Sequence, residues 1–395
     1  MTSISEPIMQ KSRQVNENPF FSIIIPTKHR CLLLNRVIDS ILSQNFKDYE
    51  IIVVNNDDSN ERGTEIVLDE YSDSRIKYFR TGNLSMAENW NYGFQRARGK
   101  YLTLLRDKRI FLPNALENLH KILSENHYDS FCWNEEISGD GNVDSVYDDT
   151  VIPWQTSTLI DMQLNMVSKE YTYLRCGLPK TSNSCISRRL YEKIVANTGI
   201  FAVENAPDYT IAYQILFNID EVHNTNMLIS HSFTHEVKYS TGAQHDLGYL
   251  NSAVQNMNSK GTNIQTILYQ PLRITNTETI VIDDFFRVAR LNRKPYSFSD
   301  FNTRNYFKTI YINTIRRQAA IQAKGNHHYF VALKNEIRKS MKDTYSNGII
   351  SDTIYCRMLD ILYYPYRFFG VRMYYVMKSL FPSISSLMVK VAKRT

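Results

Sequence analysis

Three short stretches concentrate side chains that can hold or move charge. Pro26, Thr27, Lys28, His29 and Arg30 follow one apolar run, Asn55 through Ser59 follow a second, and Arg106, Asp107, Lys108 and Arg109 follow a third. Amides donate and accept hydrogen bonds, and Lys and Arg meet phosphate oxygens. Together these groups suit a polar, partly anionic ligand such as a nucleotide. Each stretch alone also reads as an ordinary polar loop, and their convergence is what raises them above that reading. Asp208 stands apart from the three. It lies in Ala206-Pro207-Asp208-Tyr209, directly before a helical apolar pattern, where helix capping also favours Asp. Asn183, Ser184 and Arg188 are polar candidates for ligand contact, with a solvated loop as the alternative. His231, His235 and His245 share a Ser/Thr-rich stretch with Ser240-Thr241-Gly242, but their spacing matches no strong metal motif. Trp133, Trp154 and Tyr173 offer faces on which a sugar stacks, and core packing serves each equally well.

The elements that must position these groups alternate in type. Phe21–Ile25 reads as a buried strand stopped by Pro26, and Tyr49–Val54, Ile76–Phe79 and Tyr101–Leu105 read as three more. Leu34, Val37, Ile38, Ile41 and Leu42 recur at helical spacing. Thr64–Tyr71 after Gly63, and Met86–Arg98 ending at a C′ Gly99, complete three helices. Strands separated by helices predict βαβ crossovers and a mostly parallel sheet. Ligands of such sheets bind outside the carboxyl ends of the strands, which is where the three polar stretches fall. Further on the pattern is less regular. Pro179–Ser187 reads as a strand or loop, Arg188–Ala196 and Asp208–Asn218 as helices, Thr279–Ile282 as a strand, and residues 301–350 as helical.

Composition bounds the class. The chain has 395 residues, 43% hydrophobic and 22% charged, which suits two to three globular domains and excludes wholesale disorder, a collagen-like repeat and a disulfide scaffold. Its 26 tyrosines are consistent with a Tyr-rich core or with stacking platforms. Five scattered cysteines without a CxxC pair predict reduced thiols and a cytosolic setting. The polar residues 1–20 predict no signal peptide, and no 18-residue apolar stretch predicts a transmembrane helix. Net charge is +6, of which residues 351–395 carry +5 from seven basic and two acidic residues. There, Tyr366, Phe369, Met373, Val376, Met377 and Leu380 share one helical side, opposite Arg367 and Lys378. Ile384, Leu387, Met388 and Val391 share another, opposite Lys390, Lys393 and Arg394. That pattern predicts a helix lying in an anionic membrane interface, with packing on the protein itself as the alternative. No recognised nucleic-acid module accompanies the basic residues.

The ordered segments resemble the inverting family 2 glycosyltransferases of the GT-A fold. The resemblance covers roughly residues 20–245. It rests on Ser22-Ile23-Ile24-Ile25-Pro26-Thr27, Ser40-Ile41-Leu42-Ser43-Gln44 and Tyr49-Glu50-Ile51-Ile52-Val53-Val54, then Asn89, Ala97, Gly99 and Leu112-Pro113. It implies a Rossmann-like α/β domain with a mixed, mostly parallel sheet flanked by helices, followed by a helical C-terminal extension. Implied boundaries are a tail at 1–20, a nucleotide-sugar half at 21–125, an acceptor half at 126–245, a linker and helices at 246–350, and the basic segment at 351–395.

The resemblance also implies roles. Pro26, Thr27 and Arg30, with Asn55 and Asn56 in place of the family's acid, hold the nucleotide. Asp107 matches an acid that contacts ribose or a divalent Mg or Mn, while Lys108 and Arg109 stand where further acids belong and are expected to meet the diphosphate. Asp208 takes the role of general base; Asn183, Ser184 and Arg188 that of acceptor contacts. The metal is expected to be weakly required. The expected partners are a nucleotide-sugar donor, a glycan or lipid-linked acceptor and an anionic membrane surface on the cytoplasmic, inner face, with no nucleic acid. A catalytically degenerate GT-A scaffold or glycan-binding subunit, or a transferase of another activated group such as a polyol phosphate, is the alternative.

Overall fold

The computed structural model describes residues 18–59, 61–137, 150–165, 178–203, 205–233 and 277–302, with residues 305, 306, 331 and 335. The chain divides into two compact units, one of residues 1–153 and 179–233, the other of residues 154–178 and 234–395.

The first unit is built on one sheet. In chain order its elements are β1 (Phe21–Thr27), α1 (Cys31–Leu42), β2 (Tyr49–Asn55), α2 (Gly63–Asp69), β3 (Ile76–Arg80), α3 (Met86–Arg96), β4 (Tyr101–Leu104), β5 (Arg109–Phe111), α4 (Ala115–Asn126) and β6 (Ser130–Ile137). Strand β7 (Val151–Gln155) follows, and α5 (Thr156–Leu164) belongs to the second unit. Then come a 3-10 turn (Thr181–Asn183), β8 (Ser184–Ser187), α6 (Arg188–Thr198), α7 (Pro207–Leu216) and β9 (Glu221–Ser232). Strand order is β3-β2-β1-β4-β8-β6-β9-β5, and β7 pairs with β9 off this path. Strands from before and after residue 125 therefore share one sheet.

Strands β1 and β2 are buried at every position. Helices on both faces of a parallel sheet demand such continuous apolar runs, and this is why these strands are legible in sequence. Pro26 does not stop β1, which runs on to Thr27 and pairs Pro26 with Val54. The β1–β2, β2–β3 and β1–β4 pairs are parallel, whereas β8 runs antiparallel to both β4 and β6.

Strands β2 and β3 step away from β1 on one side and β4 lies on the other, so the sheet's direction of winding reverses between β1 and β4. Open α/β sheets bind ligands in the crevice at that reversal.

Helix α3 starts on a reciprocal cap. Ser85 Oγ accepts from the Glu88 amide, and the Glu88 side chain accepts from the Ser85 amide. The helix ends at Arg96, short of the expected Arg98, and Gly99 is not its left-handed C′ residue. Gly99 instead lies against β1, where a Cβ would come 2.5 Å from the Ser22 backbone nitrogen.

In the second unit, residues 279–282 form part of α8 (Thr277–Leu291) and not the expected strand. Ile282, Phe285, Phe286 and Ala289 are buried at helical spacing, and this amphipathic face overrides the β-branched preference of Thr-Ile-Val-Ile. Nearby, the Asn302 amide donates to the Leu164 carbonyl at 2.8 Å. Most of 301–350 and all of 351–395 lie outside the described residues, as do Tyr173, His235 and His245.

Candidate active site

Thr27, the last residue of β1, and Asp107, just past β4, face each other across the reversal point. Thr27 Oγ1 donates to Asp107 Oδ2 at 3.2 Å, and Arg30 Nη1, at the start of α1, donates to Asp107 Oδ1 at 3.0 Å. Both Thr27 and Asp107 are buried. Pro26 is buried within β1.

At the β2 exit the expected contacts turn inward. Asn55 Oδ1 accepts from the Asp57 amide at 3.0 Å, and its Nδ2 donates to the Tyr78 hydroxyl at 3.2 Å. Asn56 Nδ2 donates to the Leu84 carbonyl at 2.8 Å, and its Oδ1 accepts from Asn89 of α3. These amides brace the loop. The acid at this exit is Asp57, buried, holding the Ser59 amide at 2.8 Å and paired with His29 at 3.0 Å. Burial works to raise the Asp57 carboxyl, but the hydrogen bonds from Ser59 and the charges of His29 and Arg80 outweigh it and leave the group below its usual range. Among the described residues, His29, Asp57 and Asp58 offer ligand atoms within 4.8 Å of one another. His29 contacts both carboxylates, Asp57 at 3.0 Å and Asp58 at 3.7 Å, and Lys28 pairs with Asp58 at 3.4 Å.

The β4 exit is dominated by cations. Arg106 Nη2 donates to Ser182 Oγ of the 3-10 turn at 3.1 Å and lies 3.8 Å from Asp208 Oδ2. Burial, then the neighbouring Arg109, pull the Arg106 guanidinium down to about 10. Lys108 is 6% exposed. Burial, then Arg106 and Arg30, lower its ammonium to about 8, with Asp107 opposing. Its carbonyl accepts from the Phe233 amide at 3.2 Å, but its ammonium makes no ion pair or hydrogen bond among the described residues. Arg109 opens β5, and Glu135 of β6 grips it by two bonds, Nη2 to Oε2 at 3.0 Å and Nε to Oε1.

Asp208 is in the first turn of α7, after Pro207 at N1, and Ala206 is the N-cap. The capping expectation is therefore corrected by two positions. Its Oδ1 accepts from the Tyr209 amide at 3.1 Å, and Oδ2 faces Arg106. Asn183 and Ser184 lie where β8 begins, beside the β4 exit, because β8 is antiparallel to β4. Ser184 Oγ donates to the Lys180 carbonyl at 2.9 Å. Arg188 departs from the expectation. It lies at the far end of β8, where Nε and Nη2 donate to the carbonyls of Gly99 and Ala97. That is the amino end of β4, away from the strand exits. Trp133 is core, its Nε1 donating to Ser230 Oγ at 3.1 Å. His231 lies in β9 opposite Ile110.

Residues 22–195, which hold the mixed sheet and its polar switch point, match the model described as Glycosyl transferase family 2. A Campylobacter jejuni protein, GalNAc(5)-diNAcBac-PP-undecaprenol beta-1,3-glucosyltransferase, is 35% identical over 127 residues, 32% of this chain and 41% of that protein. An uncharacterized glycosyltransferase of Rickettsia bellii is 35% identical over 107 residues, 27% of this chain and 15% of that protein. The chain thus spans less than half the length of the curated relatives it matches. Among solved structures, S. aureus TarS 1-349 in complex with UDP-GlcNAc aligns at a TM-score of 0.47 and 14% identity, covering 84% of this chain and 93% of that one.

Proposed function

We propose that the chain moves a sugar from a nucleotide-sugar donor to a glycan or lipid-linked acceptor in a single displacement with inversion. One observation carries the reading: two carboxylates in different settings, buried Asp107 and partly exposed Asp208, both act on Arg106 at the reversal point of the sheet. In this reading Asp107, Thr27 and the β2-exit loop hold the nucleoside. Asp208 is the general base, and Asn183 and Ser184 lie along the acceptor's approach.

The acceptor hydroxyl gives its proton to the Asp208 carboxylate as its oxygen bonds to the anomeric carbon. The bond from that carbon to the donor phosphate oxygen breaks, and the nucleoside diphosphate leaves with the electron pair. Attack and departure on opposite faces invert the anomeric centre. A base must stand about 3 Å from the proton it takes, and the first turn of a helix suits a carboxylate.

The family match supports sugar transfer, and the Campylobacter relative's named lipid-diphosphate acceptor supports a lipid-linked glycan of the cell envelope. The basic composition of residues 351–395 supports residence on an anionic inner membrane face. No helix among the described residues is long and apolar enough to cross a membrane. The test is incubation of the purified chain with a panel of nucleotide sugars and undecaprenyl-diphosphate glycans, with the product anomer read by NMR. Sugar transfer with inversion is expected. Retained configuration overturns the base assignment, and no transfer from any donor overturns the enzymatic reading.

A further inference from the structure

The family resemblance implies a divalent metal on the diphosphate, and the side chains at the β4 exit do not fit one. Mg²⁺ or Mn²⁺ at such a site needs oxygen ligands, usually one or two carboxylates besides the phosphates. Asp107 has one oxygen bonded by Thr27 and the other by Arg30. Glu135 is gripped by Arg109, and Asp208 faces Arg106. Four cations (Arg30, Arg106, Lys108, Arg109) against three carboxylates leave the cluster positive before any metal arrives.

We propose that this chain neutralises the leaving diphosphate with its own cations, Lys108 foremost and the spare N–H groups of Arg106 and Arg109 beside it, and needs no divalent metal. The inference rests on the nucleotide-sugar reading above. Three observations support it.

Lys108 is buried yet has no carboxylate within ion-pair distance among the described residues. An ammonium largely shielded from water and without a counter-ion is costly, and an anionic ligand removes that cost.

Arg106 Nε and Arg109 Nη1 are buried without a hydrogen-bond partner among the described residues. Orphaned buried donors are uncommon in folded proteins, and phosphate oxygens are acceptors only. Arg109 is 8% exposed, and Glu135 holds its fork in one orientation. It is thus a preformed donor with one N–H pair to spare.

The third observation is connectivity. Arg106 joins the β4 exit, the 3-10 turn at Ser182 and the start of α7 at Asp208. A leaving group held there lies beside the group assigned to take the acceptor's proton. Cations fixed where charge develops stabilise a departing anion without reorganising.

The test is calorimetric titration of the full chain with UDP, GDP, ADP, CDP and inorganic pyrophosphate, in excess chelator and in excess Mn²⁺. At least one nucleoside diphosphate is expected to bind equally well in both. Lys108→Met should weaken that binding about 10–100-fold, the effect of losing a charged hydrogen-bond donor. Lys108→Arg should retain most of it. Lys108→Asp should bind poorly in chelator and recover with Mn²⁺, showing that the variant folds and that the lysine stands in a metal's place. Wild-type binding only with Mn²⁺ overturns the proposal, leaves sugar transfer standing, and moves a metal to His29, Asp57 and Asp58. Unchanged binding in Lys108→Met overturns it as well. If no diphosphate binds under either condition, the nucleotide-sugar reading fails together with this one.

Discussion

The Arg106 guanidinium stands 3.8 Å from the Asp208 carboxylate, so the start of α7 is tied electrostatically to the end of β4. Asp208→Asn keeps the side chain's shape and removes its basicity. General base catalysis is worth about 10²–10⁴-fold. Turnover should fall by that order while donor binding and the melting temperature stay near the parent's. Steady-state kinetics with scanning calorimetry check this, and near-normal turnover would sink the assignment.

Arg109 and Glu135 are a largely buried pair between β5 and β6. Removing one member of such a pair costs about 3–5 kcal/mol, because the other is left buried and uncompensated. Glu135→Leu should destabilise by that order. Adding Arg109→Met should restore most of the loss in urea titrations. A double variant no more stable than Glu135→Leu alone would show that the pair is not a closed unit.

Glu50 opens a pH-dependent contribution far from the strand exits. Burial works to raise its carboxyl, but hydrogen bonds from Lys77, Ser22 and the Arg98 amide outweigh it, leaving the group below its ordinary range. A carboxyl lowered on folding stabilises fully above its unfolded pKa of about 4.3. That stabilisation is lost as pH falls through the lower folded value. Glu50→Gln should cost about 1–3 kcal/mol at neutral pH, and the gap from the parent should close below about pH 4. Urea midpoints across that range check it. A pH-independent gap would mean that packing, not charge, sets the cost.

Gly99→Ala should destabilise by about 1–3 kcal/mol, the usual cost of overpacking. Its new Cβ would meet the backbone of Phe21 and Ser22 at 2.6 and 2.5 Å, and a β-strand backbone buried in the sheet has little room to yield. Gly82, where a Cβ meets nothing within 4 Å, has φ of +63°, so Gly82→Asn, which tolerates that region, is the mild control. Equal melting temperatures for Gly99→Ala and Gly82→Asn would contradict this.

Deleting residues 354–395 should release the protein from anionic liposomes, since each basic residue near such a surface contributes about 1 kcal/mol. Co-sedimentation with phosphatidylglycerol vesicles measures it. Failure of the full-length chain to sediment would remove the membrane from the picture.

Strands β1, β2 and β4 were legible because both their faces are covered, so apolar residues run unbroken. Strand β5 was not, since three residues carry no period. Glu135 escaped notice because a partner 26 positions from Arg109 leaves no local pattern. At the β2 exit Asn55 and Asn56 read as ligand contacts, while the loop turns both inward and leaves Asp57 paired with His29. Helix α8 was misread at residues 279–282 because four residues carry β-branching more clearly than helical phase. Arg188 was legible as a charged helix start, but only strand direction reveals that it stands at the wrong end of the sheet.

The antiparallel seam between β4 and β8 joins Thr103 to Ser184 across 81 positions of chain. During synthesis, β1 to β4 leave the ribosome first and can assemble by short crossovers. Their β4 margin then stays open until the segment around Ser184 emerges, several seconds later at about 5–20 residues per second. An open margin on an apolar strand is a template for pairing with another chain. The growing polypeptide thus passes through an interval of self-association hazard, during which a holding chaperone or a slow translation rate decides its yield.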